Sequence, residues 1–436
     1  FLKFNFFFFF FFNEGMESEE EQLWFACYNG NVEKVKTLLI NPNLNLNAQG
    51  RDRWRKRTPF QVACDQGHFE IVKILLNDER VDINKATNDG ETPFWFACCH
   101  GHIEVVKLLL NDKRIDVNKA RNDGTTPFWF ACYREQIEVV KLLLNDERIA
   151  IDINKAEKDG ETPFDTACWS GHIGIAKLLL NDERIDINKA ENDRARTPLH
   201  SACDYGRTEI VKLLLNDSRI DVNKVNNNGE SPFYLACEKG HIEIVEILLN
   251  DKRVDLNGLT LFWIFCVLGR IEGVKLLLKD ERIDINQGLN SGQTPFYIAC
   301  YKGHIEIVRI LLDNEKIDIN KPKSDGRTPL YIACQSGHIE IVKLLLNDSR
   351  IDISKATNNI TTPFYVACYR GHIEIVKLLL NDSRVDVIQV NDGRTPLYVA
   401  CEHGYIEIVK LLLNDDRADI NKAKKDKTPF YVACQY

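Results

Sequence analysis

Thirteen of the fourteen cysteines stand at a fixed period. Cys27, Cys64, Cys98, Cys132, Cys168, Cys203, Cys237, Cys266, Cys300, Cys334, Cys368, Cys401 and Cys434 follow one another at spacings of 37, 34, 34, 36, 35, 34, 29, 34, 34, 34, 33 and 33 residues, and only Cys99 lies outside the series. A period of 33 to 34 residues means a stacked array, because so small a unit cannot bury its apolar faces alone. It also changes what length implies. A 436-residue chain would otherwise divide into two or three domains, since single cores stop growing at about 250–300 residues.

Residues Gly292 to Asn320 give a clear copy of the unit. Thr294 is a good N-cap and Pro295 suits the first helical position, where its missing N–H costs nothing. Gly303 ends that helix by accepting a left-handed conformation. In the second helix Ile305, Ile307, Val308, Ile310, Leu311 and Leu312 cover more than one face, as expected when neighbours pack on both sides. Asn77, Asn111, Asn145 and Asn181 close second helices, and Asn there is expected to take a left-handed cap. Ile-Asp-Ile-Asn and an Asn-Asp-Gly turn, as at Asn88, Asp89 and Gly90, predict a hairpin finger returning to the next Thr-Pro.

Within such a stack each slot cysteine is a small buried apolar residue, held apart from its equivalents. Reduced thiols point to the cytoplasm, with the nucleus as the other compartment of that kind. Cys99 is expected on a variable surface position. Hydrophobic content of 44% and 28% charged residues are those of a soluble, packed protein. A net charge of -8 argues against a surface made for nucleic acid.

Residues 1–15 are of another kind, with an unbroken phenylalanine run from Phe6 to Phe12. It is too short to span a bilayer, which takes about 20 apolar residues, and it lacks the flanks of a signal peptide. The lone methionine, Met16, follows it directly. We read Met16 as the start, residues 1–15 as no part of the folded protein, and 16–436 as the array: twelve helix pairs and a thirteenth cut short.

The Thr-Pro-Leu/Phe step, the Ala-Cys slot, Gly-His, the Glu-Ile-Val-Lys-Leu-Leu-Leu helix and the Asp-Ile-Asn finger resemble the ankyrin repeat, from about residue 20 to the end. The resemblance implies an all-α solenoid of helix-turn-helix units with β-hairpin fingers, binding protein on a concave face. One departure is the place after Thr-Pro-Leu, where that family carries His. Here Trp95, Trp129, Tyr234, Tyr297, Tyr331, Tyr365 and Tyr398 take it, and only His200 keeps it. A second is the unit Gly258 to Gln287, five residues short. It has Leu261 at the Pro site and Phe265 at the Ala site, so the ring is either accommodated by local rearrangement or costs about 1–3 kcal/mol in overpacking. A weak joint is expected around residues 257–269, the alternative being that Phe265, Val267 and Leu268 make a compensating apolar patch.

Seven copies show Cys-x-x-x-His, as at Cys300 and His304. Stacked helices stand about 8–10 Å apart, too far for neighbouring pairs to share one zinc ion. The denser group Cys98, Cys99, His100 and His102 is read in the same way. His-x-Glu recurs without a Pro-Cys-x-x-Cys partner, and no phosphate loop or dinucleotide fingerprint is present. Nearly every polar residue is periodic, whereas a catalytic constellation would break the pattern. The expectation is therefore no catalytic residue, no metal and no cofactor.

The non-periodic information lies in the two residues after each slot cysteine. Tyr133 and Arg134, Trp169, Asp204 and Tyr205, Glu238 and Lys239, Tyr301 and Lys302, and Tyr369 and Arg370 have the composition of binding hot spots, rigid aromatics with charged partners. They are the candidate protein-binding residues. The run Arg51, Arg53, Trp54, Arg55, Lys56 and Arg57 is read as a solvated finger, with phosphate contact or nuclear localisation as the functional alternatives. The reading is a monomeric scaffold or adaptor for a protein partner, with no membrane span. The alternative is the substrate-recognition arm of a larger enzyme or channel.

Overall fold

Each repeat begins where its threonine takes an extended backbone and caps the helix behind it. Thr294 Oγ1 accepts the Tyr297 N–H at 3.1 Å, and Thr58, Thr92, Thr126, Thr162, Thr328, Thr362 and Thr395 accept from the equivalent amides. Proline follows at the first helical position in each of these helices. At the other end Gly303 has φ 78°, a left-handed conformation that an L side chain resists. A computed structural model describes residues 18–50, 56–150, 153–255, 261–421 and 428–435. The phenylalanine run, the start at Met16 and Arg51 to Arg55 of the basic run lie outside them.

The chain divides into two compact units, 1–232 and 233–436. In the first, the pairs Glu19–Asn29 with Val32–Leu39, Pro59–Gln66 with Phe69–Leu76, Pro93–His100 with Ile103–Leu110, Pro127–Tyr133 with Ile137–Leu144, Pro163–Ser170 with Ile173–Leu180 and Pro198–Asp204 with Thr208–Leu215 follow in order, with a short helix Glu147–Ala150 between the fourth and fifth. In the second unit, after Pro232–Lys239 with Ile242–Asn250, come Leu261–Leu268 with Ile271–Leu277, Pro295–Lys302 with Ile305–Leu312, Pro329–Ser336 with Ile339–Asn347, Pro363–Arg370 with Ile373–Leu380, Pro396–Glu402 with Ile406–Leu413, and Pro429–Gln435. Inside each unit first helices pack on first helices and second on second, one repeat along. Within each unit this is the expected helical solenoid, with a core of slot cysteines and post-proline rings such as Phe60, Phe94, Phe164, Phe296 and Phe364, each at most 1% exposed.

The fingers are tied less by paired strands than by side chains. Arg121 N–H donates to Thr125 O at 2.9 Å and Gly124 N–H to Arg121 O at 2.9 Å, closing a turn. Among the described residues the only β-bridge is Asn391 with Arg394. Asn84 serves both directions of the finger, donating to Arg114 O at 2.7 Å and accepting from Asp116 N–H at 2.9 Å. Arg114, braced by Asp112 at 2.6 Å, donates to Leu76 O at 3.0 Å in the preceding repeat. That bond places a cation and a donor at a helix C-terminus, where carbonyls lack partners. The same Asp-x-Arg device recurs at Arg80, Arg148, Arg219, Arg350 and Arg417.

Three expectations are corrected. Asn77, Asn111, Asn145 and Asn181 all keep right-handed helical angles, for example φ -84° and ψ -7° at Asn77. The reason is the following turn: Asp78 N–H donates to Leu75 O at 3.2 Å, so the chain leaves the helix by a right-handed turn. Cys99 is buried at 4% exposure, with Arg134 of the next repeat against it. Phe265 is fully buried at 0%, and its room comes from Gly273, where a Cβ would stand 2.2 Å from Phe265 Cδ1. Ile307, Ile341 and Ile375 hold the Gly273 place in later repeats. Volume has moved from the second helix to the first, and a volume-conserving exchange carries little of the overpacking cost expected of Phe265 alone.

Candidate functional site

In several repeats the residue after the slot cysteine is positioned from the next repeat. His172 donates to Tyr133 O at 3.0 Å, His338 to Tyr301 O at 2.9 Å, His372 to Gln335 O at 3.1 Å, and Arg207 to Trp169 O at 2.7 Å. The histidines of the Cys-x-x-x-His copies thus turn toward a neighbour's backbone and stack on its C-cap glycine: a Cβ at Gly303 would stand 2.8 Å from the His338 ring. This fixes the backbone from which the variable side chains project.

In the first unit those side chains form a continuous aromatic ribbon across four repeats. Ring centroids lie 4.5 Å apart for Trp95 and Phe130, 5.5 Å for Phe130 and Tyr133, 5.9 Å for Tyr133 and Trp169, and 5.8 Å for Trp169 and Tyr205. The Arg134 guanidinium lies 5.7 Å from both the Phe130 and Tyr133 centroids. Aromatic pairs of this geometry contribute about 0.5–1.5 kcal/mol each beyond burial, and an exposed cation–π contact about 0.5–1 kcal/mol. The ribbon is therefore ordered in advance. Tyr133 and Trp169 are half-buried in it, and Tyr205 ends it at 53% exposure. Asp204 plays another part: with Arg196 at 2.9 Å it ties helix to finger, as Asp65 with Arg57 does at 2.6 Å.

In the second unit the candidates are more separate. Glu238 and Lys239 face each other at 3.4 Å. Lys302 lies 5.7 Å from the Tyr301 ring, Arg370 lies 5.8 Å from the Tyr369 ring, and Tyr369 meets His403 edge-on at 4.9 Å. Beside Tyr369 a cavity of about 290 Å³ is lined by Tyr331, Gln335, Tyr365, Arg370 and Arg394. Tyr331 and Tyr365 hold the place usual for His, and burial pushes the Tyr365 hydroxyl up to about 12.

That same place contains a site the sequence reading passed over. Gln61, Trp129 and His200 use it to donate to Glu91 O at 3.2 Å, Glu161 O at 3.1 Å and Glu230 O at 3.0 Å. His200 also bonds Thr197 at 2.7 Å, the threonine–histidine contact of the resembled family, and burial lowers its imidazole to about 4. Asp165 stands there in the fifth repeat, the one acid at this position in the chain. It is 4% exposed; Ser201 bonds it, yet its Oδ1 has no partner. Burial and the charges of Glu161 and Glu191 push its carboxyl up to about 7, against the pull of Ser201 and Arg196. Being the single acid in a periodic slot was the signal that could have found it.

Among the described residues no helix is long and apolar enough to cross a membrane. The family model described as Ankyrin repeats (3 copies) matches residues 23–121, 113–191, 185–260, 261–357 and 351–424.

Proposed function

We propose that this chain, which belongs to the ankyrin repeat family, is a non-catalytic adaptor that binds a partner protein on the face made by its first helices and fingers. Ankyrin repeats are protein–protein interaction modules. The aromatic ribbon from Trp95 to Tyr205 carries the assignment to this face. Ordered rings with Arg134 beside them bring large contact area at small entropic cost, which is what central interface residues supply. Tyr301 with Lys302 and Tyr369 with Arg370 extend the same chemistry in the second unit, with Glu238 and Lys239 as charged contacts. The net charge of -8 favours protein over nucleic acid as the partner. The adaptor works as a monomer in the cytoplasm and needs no cofactor.

The test is photo-crosslinking. A benzophenone side chain placed at Tyr205 or Tyr301 should capture a discrete partner in cells, while the same group at Lys107 or Lys343, on the outer second helices, should not. Tyr133→Ala with Arg134→Ala should remove the Tyr205 product and leave helicity intact. Equal capture from both faces, or capture indifferent to the double substitution, would count against the assignment.

A further inference from the structure

The third repeat shows how a cation can fill the space between the finger glutamate and the next finger. Glu91 is 2% exposed in its side chain, and the Arg121 guanidinium covers it at 3.8 Å. That guanidinium also sits 5.3 Å from the Trp95 ring and 5.8 Å from Phe130. Two repeats on, the glutamate is kept and every other member of this group is replaced. Glu161 stands at the place of Glu91, Glu191 at that of Arg121, Asp165 at that of Trp95 and Ser201 at that of Phe130. A carboxylate occupies the place of the cation, and small polar groups occupy the place of its aromatic floor.

The remaining charges do not make up the loss. Arg196 is the cation that acts on both Asp165 and Glu191, but its Nη1 is engaged by Asp204 at 2.9 Å and its buried Nε bonds neither carboxylate. Arg194 also faces Glu191, opposed by Asp193, while Glu157 and Asp159 add negative charge at Glu161. Asp165 Oδ1 and Glu191 Oε1 are buried without a partner. Glu161, lacking a cover like Arg121, is half-exposed at the edge of the Trp169 ring.

We propose that Glu161 and Glu191, over Asp165, form a binding site for an arginine side chain of the partner. The guanidinium takes the place that Arg121 fills in the third repeat. It lies on the exposed oxygens of Glu161 and the rim of Glu191, against Trp169, and Asp165 acts from beneath by its charge. Bidentate guanidinium–carboxylate pairing is what such a doubly acidic seat rewards.

The site deepens the reading of the ribbon as a protein-binding face, and it is tested separately with the full chain. The probe is a fluorescent Gly-Ser peptide with one central arginine, followed by polarisation at low salt; its citrulline counterpart is the control. The arginine peptide should bind at least tenfold more tightly. Glu161→Gln and Asp165→Asn should each reduce that preference at least fivefold with unchanged circular dichroism. Glu191→Arg should abolish it and raise the melting temperature, because the built-in cation is restored. Equal binding of the two peptides, or a Glu191→Arg protein that folds and keeps the preference, overturns the proposal. If Glu191→Arg does not fold, Glu161→Gln decides: retained preference is again a refutation. Tyr205 crosslinking that survives the Tyr133→Ala, Arg134→Ala double substitution, with the peptide preference intact, would refute the ribbon instead.

Discussion

Phe265 and Gly273 should behave as one unit in a double-mutant cycle. Phe265→Ala removes a ring at 0% exposure and leaves its space unfilled, at a cost of about 3–5 kcal/mol. Gly273→Ile puts a Cβ 2.2 Å from Cδ1 and 2.3 Å from Cε1 of the ring. Neither the ring nor the helix backbone can give that much, so about 1–3 kcal/mol or more is expected, less roughly 0.5 kcal/mol returned by helix propensity. Independent effects would add to about 3.5–7.5 kcal/mol. The double substitution instead restores the Ala and Ile of the other repeats and should come within about 1 kcal/mol of the parent. The coupling is then about 3 kcal/mol or more, at the top of the range for touching residues. Repeat arrays do not unfold in a single step, so hydrogen exchange across residues 261–277 is the local readout, with urea unfolding by circular dichroism beside it. A double variant destabilised by the sum of the single effects would refute the compensation.

Two buried groups should give opposing pH profiles. Asp165 has its carboxyl raised to about 7 from 3.8, so the folded state holds the proton longer and stability falls as pH rises from about 4 to 7, by roughly 4 kcal/mol at most. His200 has its imidazole lowered to about 4 from 6.5, so its contribution is complete above about 6.5 and is lost, up to roughly 3 kcal/mol, as pH falls toward 4. Asp165→Asn should therefore leave a profile that rises with pH, and His200→Gln, which imitates Gln61, one that falls; identical slopes for the two in denaturant titrations would contradict both assignments. Burial pushes the Cys99 thiol up to about 11. Alkylation followed by peptide mass mapping should find Cys99 unmodified in the folded chain and labelled only on unfolding, and fast labelling of Cys99 in the folded chain would contradict the packing at Arg134.

What the sequence disclosed is what short-range chemistry decides. Thr-Pro starts, Gly stops and the cysteine slot each depend on a few adjacent residues, so their placement agreed with the structure. The departures were harder to read because each takes its meaning from a residue elsewhere. Phe265 looked like a defect until Gly273 was seen across the helix pair. Cys99 looked like surface because the cover, Arg134, belongs to the next repeat. At Asn77 the left-handed cap rule competes with the Asp-x-Arg turn, and the turn decides because its arginine also satisfies a neighbouring helix end. The aromatic composition after the slot was visible, but the ring contacts of Tyr133, Trp169 and Tyr205 exist only once the repeats are stacked. Asp165 hid among polar residues because its environment comes from two fingers.

Phe265 and Gly273 stand eight residues apart within one repeat, and this has a hereditary meaning. Arrays grow and shrink when recombination between similar copies duplicates or drops whole repeats. A compensation contained in one copy passes through such an exchange intact, so this repeat can be duplicated, moved or lost without leaving a half-compensated relative behind. Glu161 with Asp165 and Glu191 are divided between two successive repeats. Any crossover between them separates the acids, and a lineage that keeps all three has kept that boundary unbroken.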